Sequence, residues 1–358
     1  MSMQSLRVQR GLSIVELMVA LLLASILTLG LGYVFVTNSQ TFRTNESQAR
    51  VQEAGRTSTD ILARAIRNAD HWGCAQAFGG GDGVDSMLNE GDGFESDLFL
   101  NGLAGESDVG DDHEDFDNVL PGSDIVMFGG MEGAAGLSLD QHTPISSATI
   151  WTGEDSDEYF DEGDVILIND CKAANMLQIT NFQSGGIVAN TGGSQSPGNA
   201  TQRQNDFQRG ASVFQPTMNA FYIRQTFDED GNESRALVFN SRENGSGGGT
   251  VGTWSGPVEL VGNVWDMRLE FGRDTGGNGR VDTWSAPGPD DEADETIAIR
   301  FSFLVRSPQE DVVEEAQSYC FPGWLDCEDN NGLRTQAEDE RLYRVYTSTA
   351  TLRNRMEQ

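Results

Sequence analysis

The stretch RGLSIVELMVALLLASILTLGLGYVFV, residues 10–36, decides how the rest of the chain must be read. From Leu17 to Phe42 no side chain carries a charge. A helix of about 20 apolar residues is about 30 Å long, the thickness of a bilayer's hydrocarbon, so this segment can span a membrane. Arg7 and Arg10 precede the span and an acidic bulk follows it. That asymmetry puts the short N-terminus in the cytoplasm and everything from about residue 38 outside it. The sequence ASILTLGLG is only a loose small-x-small match, which argues against an ordinary cleaved secretory signal. Two residues at the start of the run stand out. Gly11 has no Cβ, so the backbone there can enter a tight extended groove. Glu16 is a lone carboxylate on an apolar helix, which costs several kcal/mol at membrane depth unless it is neutralised or paired.

Beyond the span the pattern stays helical. Val51, Ala54, Ile61, Leu62, Ala65, Ile66 and Ala69 recur at spacings of three and four, marking one face of an amphipathic helix that ends near Gly73, with Arg50, Arg56, Arg64 and Arg67 on its polar side. From Leu12 to about Trp72 the rod is on the order of 90 Å if unbroken, which requires lateral support. Gly30 and Gly32 lower helix stability by about 1 kcal/mol each and make a weak point at 30–33, or a place of close packing through small residues. From Asp124 onward the chain alternates in short runs between Gly, Pro, Asn and Asp clusters: DIVMF, ATIW, DVILIND, NMLQITNF, AFYIRQTF, RALVF, NVWDMRLEF, TIAIRFSFLVR and RLYRVYTSTATL. The turns FDEDGNES and GRDTGGNGRVD have hairpin spacing. The fold class is α+β: one long N-terminal helix packed on an antiparallel head large enough for two sheets.

Charge narrows the partners. The 358 residues carry 56 acidic and 23 basic side chains, a formal charge of -33, which excludes a polyanion such as nucleic acid or an anionic lipid surface as main ligand. Lys172 is the one lysine, a balance suited to high salt. From residue 79 to 170 there are 24 acids and no base, and the Gly- and carboxylate-rich insert 79–122 reads as a solvated loop. Candidate chemistry is thin, because His71, His113 and His142 belong to no catalytic or metal motif. Asp274, Asn278 and Asp282 echo part of a calcium loop, but Gly276 and Ser285 stand where further oxygen ligands belong, so a plain hairpin turn is the favoured reading and no cofactor is expected. Four cysteines on the outer side of a membrane suggest two disulfides. Three pairings are open, the favoured one joining Cys320 to Cys327 and Cys74 to Cys171.

The order Arg10, Gly11, Leu12 and then Glu16 five residues after the glycine resembles the class III signal of type IV pilins and type II secretion pseudopilins. The resemblance implies cleavage after Gly11 by a prepilin peptidase and N-methylation of Leu12, a position where many pilins carry Phe. It implies an ion pair between Glu16 and the amine so exposed, on its own or a neighbouring subunit, and local loss of helix near Gly30 and Gly32 in the filament. NADHWGC, DVILINDCKAANMLQITNF, VWDMRLEFGRDTGGNGRVDTW and RLYRVYTSTATLRNR look like the PilW-type branch of minor pilins, leaving 79–122 unmatched. The implied division is a leader at 1–11, a transmembrane and assembly helix at 12–37, its amphipathic continuation at 38–73, and an extracytoplasmic head at 74–358. The implied role is structural, not enzymatic: a minor pilin in a low-abundance complex that primes assembly at or near the pilus tip, supporting twitching motility, adhesion or DNA uptake. Implied partners are other minor pilins, the major pilin, a tip adhesin, the prepilin peptidase and the inner-membrane assembly platform. The protein would sit in the inner membrane with a periplasmic head and later in the surface pilus. A type II secretion minor pseudopilin shares the N-terminal logic. An unrelated signal-anchored periplasmic protein would instead keep its leader and tolerate Glu16→Ala.

Overall fold

The computed structural model describes residues 13–73, 84–89, 102–110, 112–131, 137–153, 156–192, 195–229, 231–242, 254–288, 295–328 and 330–356. One helix, Ile14–Asn68, starts behind Ser13 and runs 55 residues without a break, about 80 Å. It stops earlier than the apolar spacing suggests. Ala69 leaves helical geometry and Asp70 takes φ 59°, so the chain turns back and residues 70 and 71 bond to the strand Ile125–Met131: the Asp70 N–H donates to Gly129 O at 2.8 Å, and the Met131 N–H to His71 O at 2.9 Å.

The lower half of the helix lies on a four-stranded antiparallel sheet in the order Thr283–Ser285, Val264–Arg273, Thr296–Arg306, Tyr343–Thr351. Beside it stands a five-stranded antiparallel sheet, Val258–Gly262, Glu233–Ser241, Pro216–Phe227, Ile125–Met131, Leu103–Glu106. Period-two alternation puts Met267, Leu269, Phe271, Ile299, Phe301 and Phe303 on the helix-facing side, where they meet Val51, Leu62 and Ile66 in the main core. Gly55 permits the closest approach, since a Cβ there would lie 2.2 Å from the Tyr346 ring. The central sheet is buried on both faces: Val126, Phe128, Phe221 and Ile223 join the main core, whereas Ile125, Met127, Ala220 and Tyr222 pack with Val109, Phe116 and Val119 on the other side.

Farther from the helix, a second five-stranded sheet runs Val84–Ser86, Ala174–Gln178, Val165–Asn169, Ser212–Phe214, Leu137–Ser138, with a three-stranded and a two-stranded sheet elsewhere in the head. The head is thus more divided than the expected one or two sheets, and it is not wholly antiparallel: Val84–Ser86 pairs parallel with Ala174–Gln178. The expected solvated loop at 79–122 also needs correction. Strands Val84–Ser86 and Leu103–Glu106 lie within it, and Met87, Leu88, Leu103, Val109, Phe116 and Val119 are buried. A few apolar side chains spaced among carboxylates anchor these described parts, while Asp108, Asp112, Glu114, Asp115 and Asp117 face water.

Candidate functional site

The first turn of the helix holds the residue singled out for assembly. The Ser13 hydroxyl accepts the Val15 N–H at 3.3 Å, and the Ser13 N–H donates to the Glu16 carboxylate at 3.0 Å, a reciprocal cap that also sets the acid at the positive end of the helix dipole. Glu16 is thereby turned back toward the residues that precede it. Gly11 and Leu12 lie outside the described residues. The apolar side chains from Ile14 to Phe42 touch no part of the head and are 52–78% exposed. The polar residues among them bond within the helix: Ser25 donates to Leu21 O at 2.7 Å, Thr28 to Ala24 O at 2.8 Å and Thr41 to Thr37 O at 2.9 Å. These three hydroxyls need no water, which suits a segment that enters hydrocarbon or a bundle of like helices. Gly30 and Gly32 are helical, and a Cβ on either would meet nothing within 4 Å. They leave a small, smooth patch on the exposed rod.

The helix exit is locked. Asp70 accepts the Trp72 indole N–H at 2.7 Å and the Arg355 Nε at 2.7 Å, and the Asp70 and Arg355 side chains are each 2% exposed. The Asn354 amide donates to Ala69 O at 2.8 Å. His71 serves here through its backbone, His113 sits 3.2 Å from Glu106 and 4.9 Å from the Phe116 ring, and His142 is exposed.

On the face of the four-stranded sheet turned away from the helix, residues 318–328 and 330–336 fold over as a flap closed by the Cys320–Cys327 disulfide. Cys171 is also disulfide-bonded, and its favoured partner Cys74 lies outside the described residues. Under the flap is a groove of about 610 Å³ lined by Arg235, Trp265, Asp266, Arg268, Tyr319 and Trp324, among others. Cationic and aromatic groups interleave along this face. Arg235 and Arg306 lie 3.9 and 3.2 Å from the Trp265 ring centroid, and Arg300 sits between Trp284 and Trp324 at 4.9 and 5.0 Å. Burial pushes the Asp266 carboxyl up to about 6, against the pull of Arg268, and raises Asp124 as well.

Asp274 and Asp282 spend their carboxylates on the hairpin itself. Asp274 accepts the Asn278 and Gly279 N–H groups at 2.9 and 2.5 Å, and Asp282 accepts the Gly276 N–H at 2.9 Å and the Thr275 hydroxyl at 3.1 Å. Those bonds lower the Asp274 carboxyl and close the turn between Arg273 and Thr283. Asn278 contributes its backbone. Among the described residues no group of three or more His, Cys, Asp or Glu could hold a metal ion.

Three features escaped the reading of the sequence. The Ser13–Glu16 cap was visible there, since Ser-x-x-Glu ahead of an apolar run is a helix-start signature. The Asp70–Arg355 pair and the partners of Asp266 come together only through tertiary folding, and no local signal marks them.

Comparison with known proteins bears on the head. The family model described as type IV pilus-assembly protein W, PilW, matches residues 220–354. These residues run from the central sheet through the four-stranded sheet, the flap and Asn354. Among solved structures, a type IV-like pilin from Thermus thermophilus aligns at 14% identity and a TM-score of 0.25, covering 55% of this chain and 87% of that one. Among curated proteins none matches. Over residues 220–354, the stretch that carries the helix-bearing sheet and its flap, the chain is similar to the family of type IV pilus-assembly protein W.

Proposed function

We propose that the protein is a minor pilin of a type IV pilus, cleaved after Gly11, methylated at Leu12 and inserted into the filament through its N-terminal helix. The observation that carries this reading is the joining, in one unbroken helix, of an exposed apolar half headed by Glu16 to a half buried in a head that contains the PilW match. A helix with bare apolar side chains over residues 14–42 must be covered by lipid or by other helices, and a subunit that passes from membrane to filament meets both in turn. Glu16 would then pair with the amine exposed at Leu12, its own or a neighbour's, because a buried carboxylate needs a cation. Gly30 and Gly32, with no side chain to rearrange, are where the helix would loosen during that passage.

The role is structural. A head of several sheets is too bulky to be repeated at every turn of a thin filament, which favours a low-abundance priming complex at or near the tip. Its partners there would be other minor pilins, the major pilin and a tip adhesin, after handling by the prepilin peptidase and the inner-membrane assembly platform. Twitching motility, adhesion or DNA uptake would be the outputs of such a complex.

Mass spectrometry of sheared surface fibres tests this. A peptide beginning with N-methyl-Leu12 is expected in the fibres. An intact Met1–Arg10 leader found in membrane fractions alone would remove the assignment. Glu16→Gln should leave the protein folded and in the membrane while reducing its amount in fibres by about tenfold, the equivalent of roughly 1.4 kcal/mol. Unchanged incorporation would sink the pairing.

A further inference from the structure

The hairpin FDEDGNES carries a pattern that neither the helix nor the sheets make use of. Asn232, Glu233 and Ser234 form Asn-x-Ser, the acceptor triplet for N-linked sugars on proteins that leave the cytoplasm. The chain holds four such triplets, beginning at Asn45, Asn199, Asn232 and Asn244. A three-residue pattern recurs by chance, so its surroundings decide. Asn199 is 2% exposed and spends its side chain inside the head: its amide donates to Gln178 O at 2.8 Å and to Asn190 O at 3.1 Å, and its oxygen accepts the Gln178 N–H at 2.8 Å. Asn45 lies within the long helix, and the Ser47 hydroxyl of its triplet is buried against Gln309 at 2.7 Å. Asn244 lies outside the described residues.

Asn232 is different. It and Ser234 are exposed, where the central sheet turns from Pro216–Phe227 into Glu233–Ser241. The turn is held in one shape. The Asn232 N–H donates to Asp228 Oδ1 at 2.8 Å, the Gly231 N–H donates to Asp228 O at 3.0 Å, and Gly231 takes φ 80°. Asp230, within the turn, lies outside the described residues. The Asn232 amide has two hydrogens and directs one to Asp228 Oδ2, at 2.9 Å. A sugar on Nδ2 replaces one hydrogen and leaves the other for that bond. At the same tip Phe227 pairs with Glu233 and is 64% exposed, more than any other large apolar side chain outside the long helix among the described residues. The polypeptide leaves that ring in water, and the apolar face of a sugar ring can cover it.

We propose that Asn232 is an acceptor for N-linked glycosylation, taking its glycan from a lipid-linked oligosaccharide diphosphate on the outer side of the membrane. The Asn232 Nδ2 forms a bond to the anomeric carbon of the first sugar while the bond from that carbon to the diphosphate oxygen breaks. The lipid diphosphate leaves with the electron pair, and the amide gives up one proton to the transferase. Nothing is oxidised or reduced. The Ser234 hydroxyl is the group by which the transferase reads the triplet. This assignment rests on the head lying outside the membrane, not on membership in a pilus.

Trypsin cuts after Arg224 and Arg235, so the peptide Gln225–Arg235 reports the site. Mass spectrometry with site-resolving fragmentation, on the full chain taken from the cells that make it, should find this peptide with sugar mass on Asn232. Asn232→Gln should abolish the added mass. Ser234→Ala, which keeps Asn232 in place, should abolish it as well, and Ser234→Thr should retain it. A peptide found only in its bare form, sugar on Thr226 or Ser234, added mass that survives Ser234→Ala, or its loss in Ser234→Thr would each overturn the proposal. The same digest shows whether the chain begins at N-methyl-Leu12. A bare Asn232 on a processed chain sinks this site and leaves the pilus reading standing, whereas a sugar on a chain that keeps its leader does the reverse.

Discussion

The two halves of one helix obey opposite rules. From Ile14 to Phe42 the apolar side chains ring the helix and all are exposed, so nothing in this chain chooses a face for them. From Ser47 to Ile66 the buried positions are Ser47, Val51, Gly55, Ser58, Leu62, Ala63 and Ile66, one stripe that follows the helical repeat and meets the sheets. The first half is written for a solvent other than water, and the second for a particular neighbour within the same molecule. Hydrophobicity alone therefore does not place a residue in a core. Whether the apolar positions occupy a stripe or the whole circumference does.

This contrast can be broken from either side. The largest effect should come where the packed half ends. Asp70→Ala removes the carboxylate from the buried pair with Arg355, and chemical denaturation followed by tryptophan fluorescence should show a loss of about 3–5 kcal/mol. Leu62→Ala, at a fully buried site in the stripe, should cost about 3–4 kcal/mol in the same measurement; a much smaller loss would mean that the helix is held by its ends alone.

A smaller term, in the sheet behind that packed half, depends on pH. Because the folded Asp266 carboxyl titrates near 6 against a reference of 3.8, the folded state binds the extra proton between these values and stability falls as pH rises through them. The difference between wild type and Asp266→Asn should change by about 2–3 kcal/mol across pH 4–6, with the variant gaining relative to wild type toward pH 6. A flat difference would place Asp266 in water. The smallest effect belongs to the exposed half. Leu22→Ala should alter head stability by less than about 0.5 kcal/mol, and a larger change would mean that the head reaches residues it does not touch here.

Much of the head was legible because strands half buried in a sheet announce themselves by alternation. TIAIRFSFLVR coincides with the strand Thr296–Arg306, and AFYIRQTF and RLYRVYTSTATL locate the strands Pro216–Phe227 and Tyr343–Thr351 to within a few residues. Both proposed hairpins close, at Phe227–Glu233 and Arg273–Thr283. Short strands were missed. Ser212–Phe214 and Leu137–Ser138 hold too few residues to display a period, and they exist because neighbours offer edges to pair with. The acidic insert was misread for a related reason. Its average composition resembles a loop, while its fold is decided by single side chains such as Leu103 and Phe116 that an average conceals. The candidate groove was invisible in the sequence, since Arg235, Asp266 and Tyr319 come from three strands far apart in the chain.

The clasp at Asp70 has a mechanical meaning. Arg355 and Asn354 fasten onto the point where the helix gives way to the head, so the head polypeptide departs and returns at one place. Traction along the rod would therefore meet a closed ring rather than the loose end of a strand. The load would be shared between the stripe on the sheet and a charged pair shielded from water, and the hairpins of the head would be sheared together instead of being peeled away one by one.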